Sequence, residues 1–269
     1  MGVRLDVELV NRGLADTRAR AQQLVAKGAV VLNGRVAEKP SARVEEGDEL
    51  RIADGLALRY VSRGGEKLER ALAHFGLSVE GRRVLDIGSS TGGFTHCALQ
   101  HGAAHVYAVD VGTEQLHESL RGDGRISLHE NTHIRDLTLA QLDGCPVDCV
   151  VCDVSFISLV HIFTYVRTLL APGGWAVLLI KPQFEVGRGQ LPKDGVVKGP
   201  KAQASAIEAC LDAARGCGLQ PLGLTHSPLG GRGKNTEYLL HLVHAGAQLR
   251  ADTIDVPAAV QEARRAFNS

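Results

Sequence analysis

The stretch that most constrains this chain is Leu85-Asp86-Ile87-Gly88-Ser89-Ser90-Thr91-Gly92-Gly93-Phe94. It joins a short apolar run, residues 83–87, to a helical pattern over 93–100 through a loop rich in glycine. A loop of that kind lets the backbone approach a ligand closely. Downstream the chain keeps alternating strand and helix patterns. Strands are expected at 105–110, 126–128, 147–152 and 175–180, the last following the turn Pro172-Gly173-Gly174. A helix is expected over 201–215, two strands at 222–226 and 238–243, and a short terminal helix at 257–267. Such alternation implies an α/β fold, a Rossmann-like, mostly parallel sheet with helices on both faces. If the last strand runs antiparallel, its start returns to the edge where the parallel strands end. At 269 residues the chain suits two domains. The boundary is expected near 58, giving units 1–58 and 59–269.

The loop also narrows the cofactor. Asp110 ends the next strand, 22 positions after Gly88, where a carboxylate can accept hydrogen bonds from a ribose diol. A dinucleotide fingerprint would need G-x-G-x-x-G, whereas the glycines here stand at 88, 92 and 93. Asp86 would repel phosphates but suits a sulfonium and amino-acid cofactor. The Asp-x-Gly-x-x-x-Gly spacing resembles the methyltransferase pattern, which implies S-adenosyl-L-methionine. Its candidate ligands are Asp86, Gly88, Ser90, Thr91, Gly92, Gly93, Phe94 and Asp110. The competing reading is a tight structural turn.

Four further charged residues fall at strand ends or edges. Asp153 follows the fourth strand of this region and Lys181 the fifth; Glu237 precedes the last strand, and Lys67 sits on a helix expected before the first. Open α/β sheets bind ligands at the carboxyl ends of their strands. A ribose hydroxyl is a poor nucleophile, so methyl transfer to it needs alignment and removal of a proton. A lysine near another cation can do the latter, while a carboxylate raises its pKa and orients it. Singly, each residue reads equally well as half of a surface ion pair. Jointly, the set resembles the Lys-Asp-Lys-Glu constellation of the FtsJ/RrmJ-type ribose methyltransferases, which implies catalytic roles for Lys67, Asp153, Lys181 and Glu237. Base N-methyltransferases usually carry Asn/Asp-Pro-Pro-Tyr/Phe where this chain has Asp153-Val154-Ser155-Phe156.

The first 58 residues read as two helices, 5–12 and one through 27 capped by Asp16, then short strands around the tight turn Asn33-Gly34 and at 50–52. The run Arg4-Leu5-Asp6, Leu9, Arg12-Gly13-Leu14, Arg18, Ala21, Leu24-Val25, Gly28, Val30 to Gly34 and Gly47-Asp48 resembles the S4-type RNA-binding domain. The segment holds nine Lys/Arg and nine Asp/Glu, so any basic face must come from segregation. Arg4, Arg12, Arg18, Arg20 and Lys27 precede an acidic block at 45–49, and they are the candidate RNA contacts. A solvated helix surface is the plainer alternative.

S4-like unit, linker and FtsJ-like unit in that order, with Val61-Ser62-Arg63-Gly64, Ser90 to Thr95, Asp153 to Leu159 and Lys181 to Gly187, resemble the TlyA/hemolysin-A family. The resemblance implies 2′-O-methylation of cytidine in ribosomal RNA, of the large subunit and in some members also the small one, with the S4 unit gripping the ribosomal subunit. Formal net charge is zero, which offers no global case for nucleic acid. Cys149 and Cys152, with Cys145 nearby, fall in or beside an apolar strand pattern and read as buried thiols rather than metal ligands. No apolar run approaches a membrane span, so a cytoplasmic protein is expected and a membrane-lytic one disfavoured. The chief alternative is a non-catalytic S4-type RNA-binding or ribosome-assembly factor.

Overall fold

A computed structural model describes residues 2–15, 17–53, 59–187, 191–231, 233–244 and 254–268. The chain divides into two compact units, Met1–Ser62 and Arg63–Ser269.

The first unit runs β1 (Val3–Arg4), α1 (Leu5–Asn11), α2 (Arg18–Ala26), β2 (Val30–Leu32), β3 (Arg35–Val36), β4 (Arg43–Val44) and β5 (Leu50–Ile52). Asn33 and Gly34, both at positive φ, close the β2–β3 hairpin. β2 also pairs with β5, and β1 with β4, all antiparallel. Leu5, Leu9, Ala21, Leu24, Val25 and Val30 form the core. The N-cap of α2 is Thr17, whose hydroxyl accepts from the Arg20 amide at 3.2 Å; Asp16, expected in that role, lies outside the described residues.

The second unit continues with α3 (Gly64–Phe75), β6 (Arg83–Ile87), α4 (Gly93–Gln100), β7 (His105–Val109), β8 (Ile126–His129), β9 (Val147–Cys152), α5 (Phe163–Leu169), β10 (Leu170–Ile180), α6 (Pro182–Glu185), α7 (Pro200–Gly216), β11 (Gln220–His226), β12 (Tyr238–Val243) and α8 (Val256–Asn268). Seven strands form one sheet in the order β11-β12-β10-β9-β6-β7-β8. β12 is antiparallel to both neighbours; the pairs among β10, β9, β6, β7 and β8 are parallel. This is the expected Rossmann-like, mostly parallel sheet with its last strand antiparallel. β6 and β9 are almost wholly buried, and apolar apart from Arg83, Asp86 and Asp148, because both their faces are covered. Cys149 and Cys152 are buried in β9, and desolvation raises both thiols, Cys149 to about 12.

Among the strands the largest departure from the expected boundaries is at the start of β10. β10 begins at Leu170, and Pro172-Gly173-Gly174 lies within it as an irregularity, Leu170 pairing with Val147 and Trp175 with Cys149. A side chain at Gly174 would come within 2.7 Å of the Asp148 carbonyl. The glycine therefore lets β10 bulge around β9 without losing the sheet.

Candidate active site

The parallel strands present their carboxyl ends on one edge, and the order reverses between β6 and β9. Ligands bind at such switch points. A cavity of about 520 Å³ opens there, lined by Ile87, Gly88 and Ser90 after β6, by Val109, Asp110 and Val111 around the end of β7, and by Asp153 to Ile157 after β9.

The glycine loop shapes its floor. Gly88 stands at φ +80°, and a Cβ there would lie 2.9 Å from the Asp153 carbonyl oxygen. Only glycine lets two strand ends cross this closely. The Ser90 amide donates to Asp110 Oδ2 at 2.7 Å and the Gly112 amide to Oδ1 at 2.7 Å. Both bonds fix the carboxylate while leaving lone pairs on each oxygen. Glu130 accepts from the amides of Glu114, Gln115 and Leu116, which folds the loop beyond Asp110.

The expected cofactor residues separate into two groups. Gly88, Ser90 and Asp110 line the cavity; Asp86, Thr91, Gly92, Gly93 and Phe94 are not part of its wall. Successive strand residues face opposite sides, so Ile87 turns to the cavity. Asp86 is fully buried, where Oδ2 accepts from the Thr95 hydroxyl of α4 at 2.6 Å. Burial drives the Asp86 pKa up to about 7, the Thr95 bond opposes it, and the charge of Asp153 adds to the rise. Gly92 is a packing position: a Cβ there would meet Leu120 at 2.6 Å and Leu116 at 2.7 Å. Thr132, His133 and Ile134 after β8, with Ile162, complete the wall. They lie in loops and short turns without apolar periodicity, and nothing in their pattern marks them.

Lys67, Asp153, Lys181 and Glu237 converge. Lys67 Nζ lies 2.8 Å from Asp153 Oδ2 and 2.9 Å from Glu237 Oε2; Lys181 Nζ lies 2.7 Å from Asp153 Oδ1. Lys181 also donates to Ser155 Oγ at 2.8 Å, a partner the spacing did not single out. Each comes from a different element. Lys67 is in the first turn of α3, Asp153 and Lys181 follow β9 and β10, and Glu237 immediately precedes β12, whose Tyr238 pairs with Ile180. The antiparallel course of β12 is what brings Glu237 to this edge. Desolvation works against the Lys67 charge, but the attraction of Asp153 and Glu237 wins and its pKa lies above the ordinary lysine value. For Asp153, burial favours the neutral acid and is outweighed by Lys67 and Lys181, so its pKa is lowered. A surface pair is worth little; this cluster is three-quarters or more withdrawn from solvent, with side-chain exposures of 9–18 %.

At the cavity rim stands Phe156, 91 % exposed and at φ +65°. Its ring packs against Phe184 at 5.1 Å, and Lys181 Nζ lies 6.0 Å from the Phe184 ring. An exposed aromatic held in a disfavoured backbone conformation is a mark of a contact surface.

The five cations expected to meet RNA are differently placed. Arg4 and Arg18 both bind Asp6, the former through two bonds of 3.0 Å and the latter through one of 3.0 Å, with Gln22 Nε2 adding a fourth at 2.8 Å. Asp6 itself is fully buried. Arg12 binds Glu8 and the Asp48 carbonyl, Arg20 the Tyr60 carbonyl, and Lys27 ends α2, exposed. The basic residues of this unit are thus largely tethered, though Arg18 keeps over half its side-chain surface in solvent.

Comparison with known proteins adds sequence-wide relationships. Residues 60–244 match the FtsJ-like methyltransferase model and residues 3–50 the S4 domain model. YqxC of Bacillus subtilis, provisionally named an rRNA methyltransferase, is 46% identical over 239 residues, covering 89% of this chain and 85% of that one. The 16S/23S rRNA (cytidine-2′-O)-methyltransferase TlyA of Mycobacterium tuberculosis is 44% identical, with 89% of each chain covered. A solved chain of Streptococcus thermophilus, provisionally named a hemolysin, superposes with a TM-score of 0.76 at 40% identity over 99% of this chain and 97% of that one.

Proposed function

The chain belongs to the FtsJ-like methyltransferase family, and from that premise we propose that it transfers a methyl group from S-adenosylmethionine to the 2′-hydroxyl of a cytidine in ribosomal RNA. The observation that carries this is the cluster of Lys67, Asp153, Lys181 and Glu237 beside the cavity at the strand ends. The mycobacterial relative, 44% identical, is named for that reaction on 16S and 23S rRNA. Work on ribosomal RNA implies a cytoplasmic protein. Large-subunit RNA is the first substrate to test, small-subunit RNA the second.

The cavity suits the cofactor. Asp110, fixed by two amides, offers acceptors to a ribose diol, and Ile87, Val109, Ile134 and Val154 supply apolar walls for a nucleoside. When bound, S-adenosylmethionine supplies a sulfonium-activated methyl group, which needs no acid from the protein. What the protein must do is orient the hydroxyl and take its proton. Lys67 stays a cation between two carboxylates, so its part is to hold Asp153 and Glu237 in place. Asp153 is shared between two ammonium groups and anchors Lys181. We assign to Lys181 the task of orienting the hydroxyl oxygen and, once its own ammonium proton has passed to solvent, of receiving the hydroxyl proton on the free amine. Phe156 offers a ring against which a nucleobase stacks, at about 1–3 kcal/mol per base. The S4 unit adds RNA affinity through the exposed parts of Arg4, Arg12, Arg18, Arg20 and Lys27.

Labelled cofactor incubated with ribosomal subunits tests the reading. Alkali-resistant dinucleotides containing labelled 2′-O-methylcytidine are expected, and they disappear with Lys181→Ala. Binding of rRNA without any transfer would instead favour an assembly factor. Relatives also carry hemolysin names, but among the described residues no helix is long and apolar enough to cross a membrane.

A further inference from the structure

Behind the ion cluster lies a second hollow of about 440 Å³, and its character is opposite to that of the first. The cavity at the strand ends has a mainly apolar wall, with Ile87, Val109, Val111, Ile134, Val154, Ile157 and Ile162 its aliphatic part. The second hollow presents Arg63, Lys67, Gln183, Lys234, Asn235 and Glu237. The two adjoin at the ion cluster, because Asp153 lines the first, Lys67 lines the second, and the pair is 2.8 Å apart.

The charge balance of the hollow is informative. Glu237 is neutralised by Lys67, and Asp194, also in its wall, by Lys198. Arg63 and Lys234 are exposed and have no ion-pair partner among the described residues. Two positive charges therefore remain uncompensated at the mouth, where a polyanion would be drawn in. Inside, Gln183 Oε1 is buried without a hydrogen-bond partner. A buried amide left unpaired costs free energy unless something else satisfies it. The walls are built rather than slack. Asn235 accepts from the Val197 amide at 2.9 Å and donates to the Gly195 carbonyl at 2.8 Å, clasping the two loops together.

We propose that this hollow seats the sugar–phosphate of the RNA strand at the target nucleotide, with Lys234 and Arg63 on phosphate and the Gln183 carboxamide on a sugar hydroxyl. This rests on the reading of the chain as a ribose methyltransferase. In it, donor and acceptor enter from opposite sides of the Lys67–Asp153 pair, the donor through the apolar cavity and the acceptor through the polar hollow. The two uncompensated cations and the unpaired carboxamide are then substrate contacts, made only when RNA is bound.

Steady-state methylation of ribosomal RNA by the full chain tests this, using Lys234→Ala, Gln183→Leu and, as a control, Arg215→Ala on α7 outside both cavities. Lys234→Ala is expected to raise KM for RNA about tenfold and to flatten its dependence on salt. Gln183→Leu, matched in size but without hydrogen bonding, is expected to lower kcat/KM for RNA at least tenfold. Calorimetric affinity for S-adenosylmethionine and the melting temperature are expected to hold in both variants, and Arg215→Ala to leave KM unaltered. Wild-type kinetics in Lys234→Ala and Gln183→Leu, with the wild type active, would overturn the proposal and leave the methyltransferase reading standing. A wild type that binds cofactor yet methylates no ribosomal RNA would overturn both.

Discussion

Lys67 Nζ and Asp153 Oδ2 are 2.8 Å apart, yet one belongs to α3 and the other to the loop after β9, 86 positions along the chain. Their contact is where the apolar cavity and the polar hollow adjoin. Lys67 is held as a cation, and Asp153 is kept ionised by two ammonium groups. Lys67→Met should therefore free Asp153 from one of its two cations and loosen Lys181. The expected loss in kcat is about 10²-fold or more, the scale of a positioned acid–base group, with cofactor affinity within about threefold. Single-turnover transfer and calorimetry, run side by side, check the split.

Asp86 makes stability depend on pH. Its carboxyl is harder to ionise in the folded protein, at about 7, than at its ordinary value of 3.8. Between those values the folded chain holds a proton that the unfolded chain has lost. Stability is thus fully present below about pH 4 and falls as pH rises towards 7. At 1.36 kcal/mol per unit the shift corresponds to roughly 4 kcal/mol at most. Urea unfolding of the cofactor-free protein at pH 5 and pH 8 measures it. Asp86→Asn, which keeps an acceptor for Thr95, is expected to abolish this contribution; an unchanged slope would show that the carboxyl is not its source.

In the first unit, Asp6 gathers Arg4, Arg18 and Gln22. The Arg4 bond holds its carboxyl well below the usual range against the opposing effect of burial. A depressed pKa contributes stability above the ordinary carboxylate range that is lost as pH falls through and below it. Asp6→Ala leaves three donors without their acceptor and is expected to destabilise this unit by on the order of 2 kcal/mol. Amide hydrogen exchange confined to residues 2–53 reads the effect, and exchange spread evenly over the second unit would contradict it.

The terminal helix α8 reaches the hollow through one ring. A Cβ at Gly230 would lie 2.4–2.6 Å from three atoms of the Phe267 ring, which also packs on His226 at 5.4 Å. The next residue, Ser227, donates its amide to the Glu237 carbonyl at 2.8 Å. Gly230→Ala alone is expected to cost about 1–3 kcal/mol by overpacking and to lower kcat/KM. In a Phe267→Ala background the same change is expected to add less than about 0.5 kcal/mol, because the clash is gone. A double-mutant cycle on thermal unfolding shows this coupling, and additivity would refute it.

Much of the scaffold was legible because local signals agreed. Apolar runs bounded by turns placed β6, β9 and β12 at their observed limits, and Gly93 opened α4 as expected. The fate of Asp86 was less legible: a strand covered on both faces does not reveal which side a lone carboxylate takes. Gly92 reads like a ligand glycine in the motif but packs against Leu116 and Leu120, a contact between segments over 20 positions apart. Arg4 and Arg18 looked like free cations because Asp6, their common acceptor, becomes buried only when α1 and α2 pack. The wall at Thr132 to Ile134 and Lys234 of the hollow come from loops and short turns, and Gln183 from the four-residue helix α6, segments too short to carry a periodicity to read.

The proposed ribose methylation rests on the Lys67–Asp153–Lys181–Glu237 cluster. Its most direct test is to map 2′-O-methyl groups in ribosomal RNA after incubating unmodified subunits with S-adenosylmethionine and either the wild-type chain or Lys181→Ala. A new 2′-O-methylcytidine is expected with the wild type and none, or a rate lower by about 10²-fold or more, with Lys181→Ala. Methylation on a base rather than a ribose, or equal 2′-O-methylation by both proteins, would contradict it.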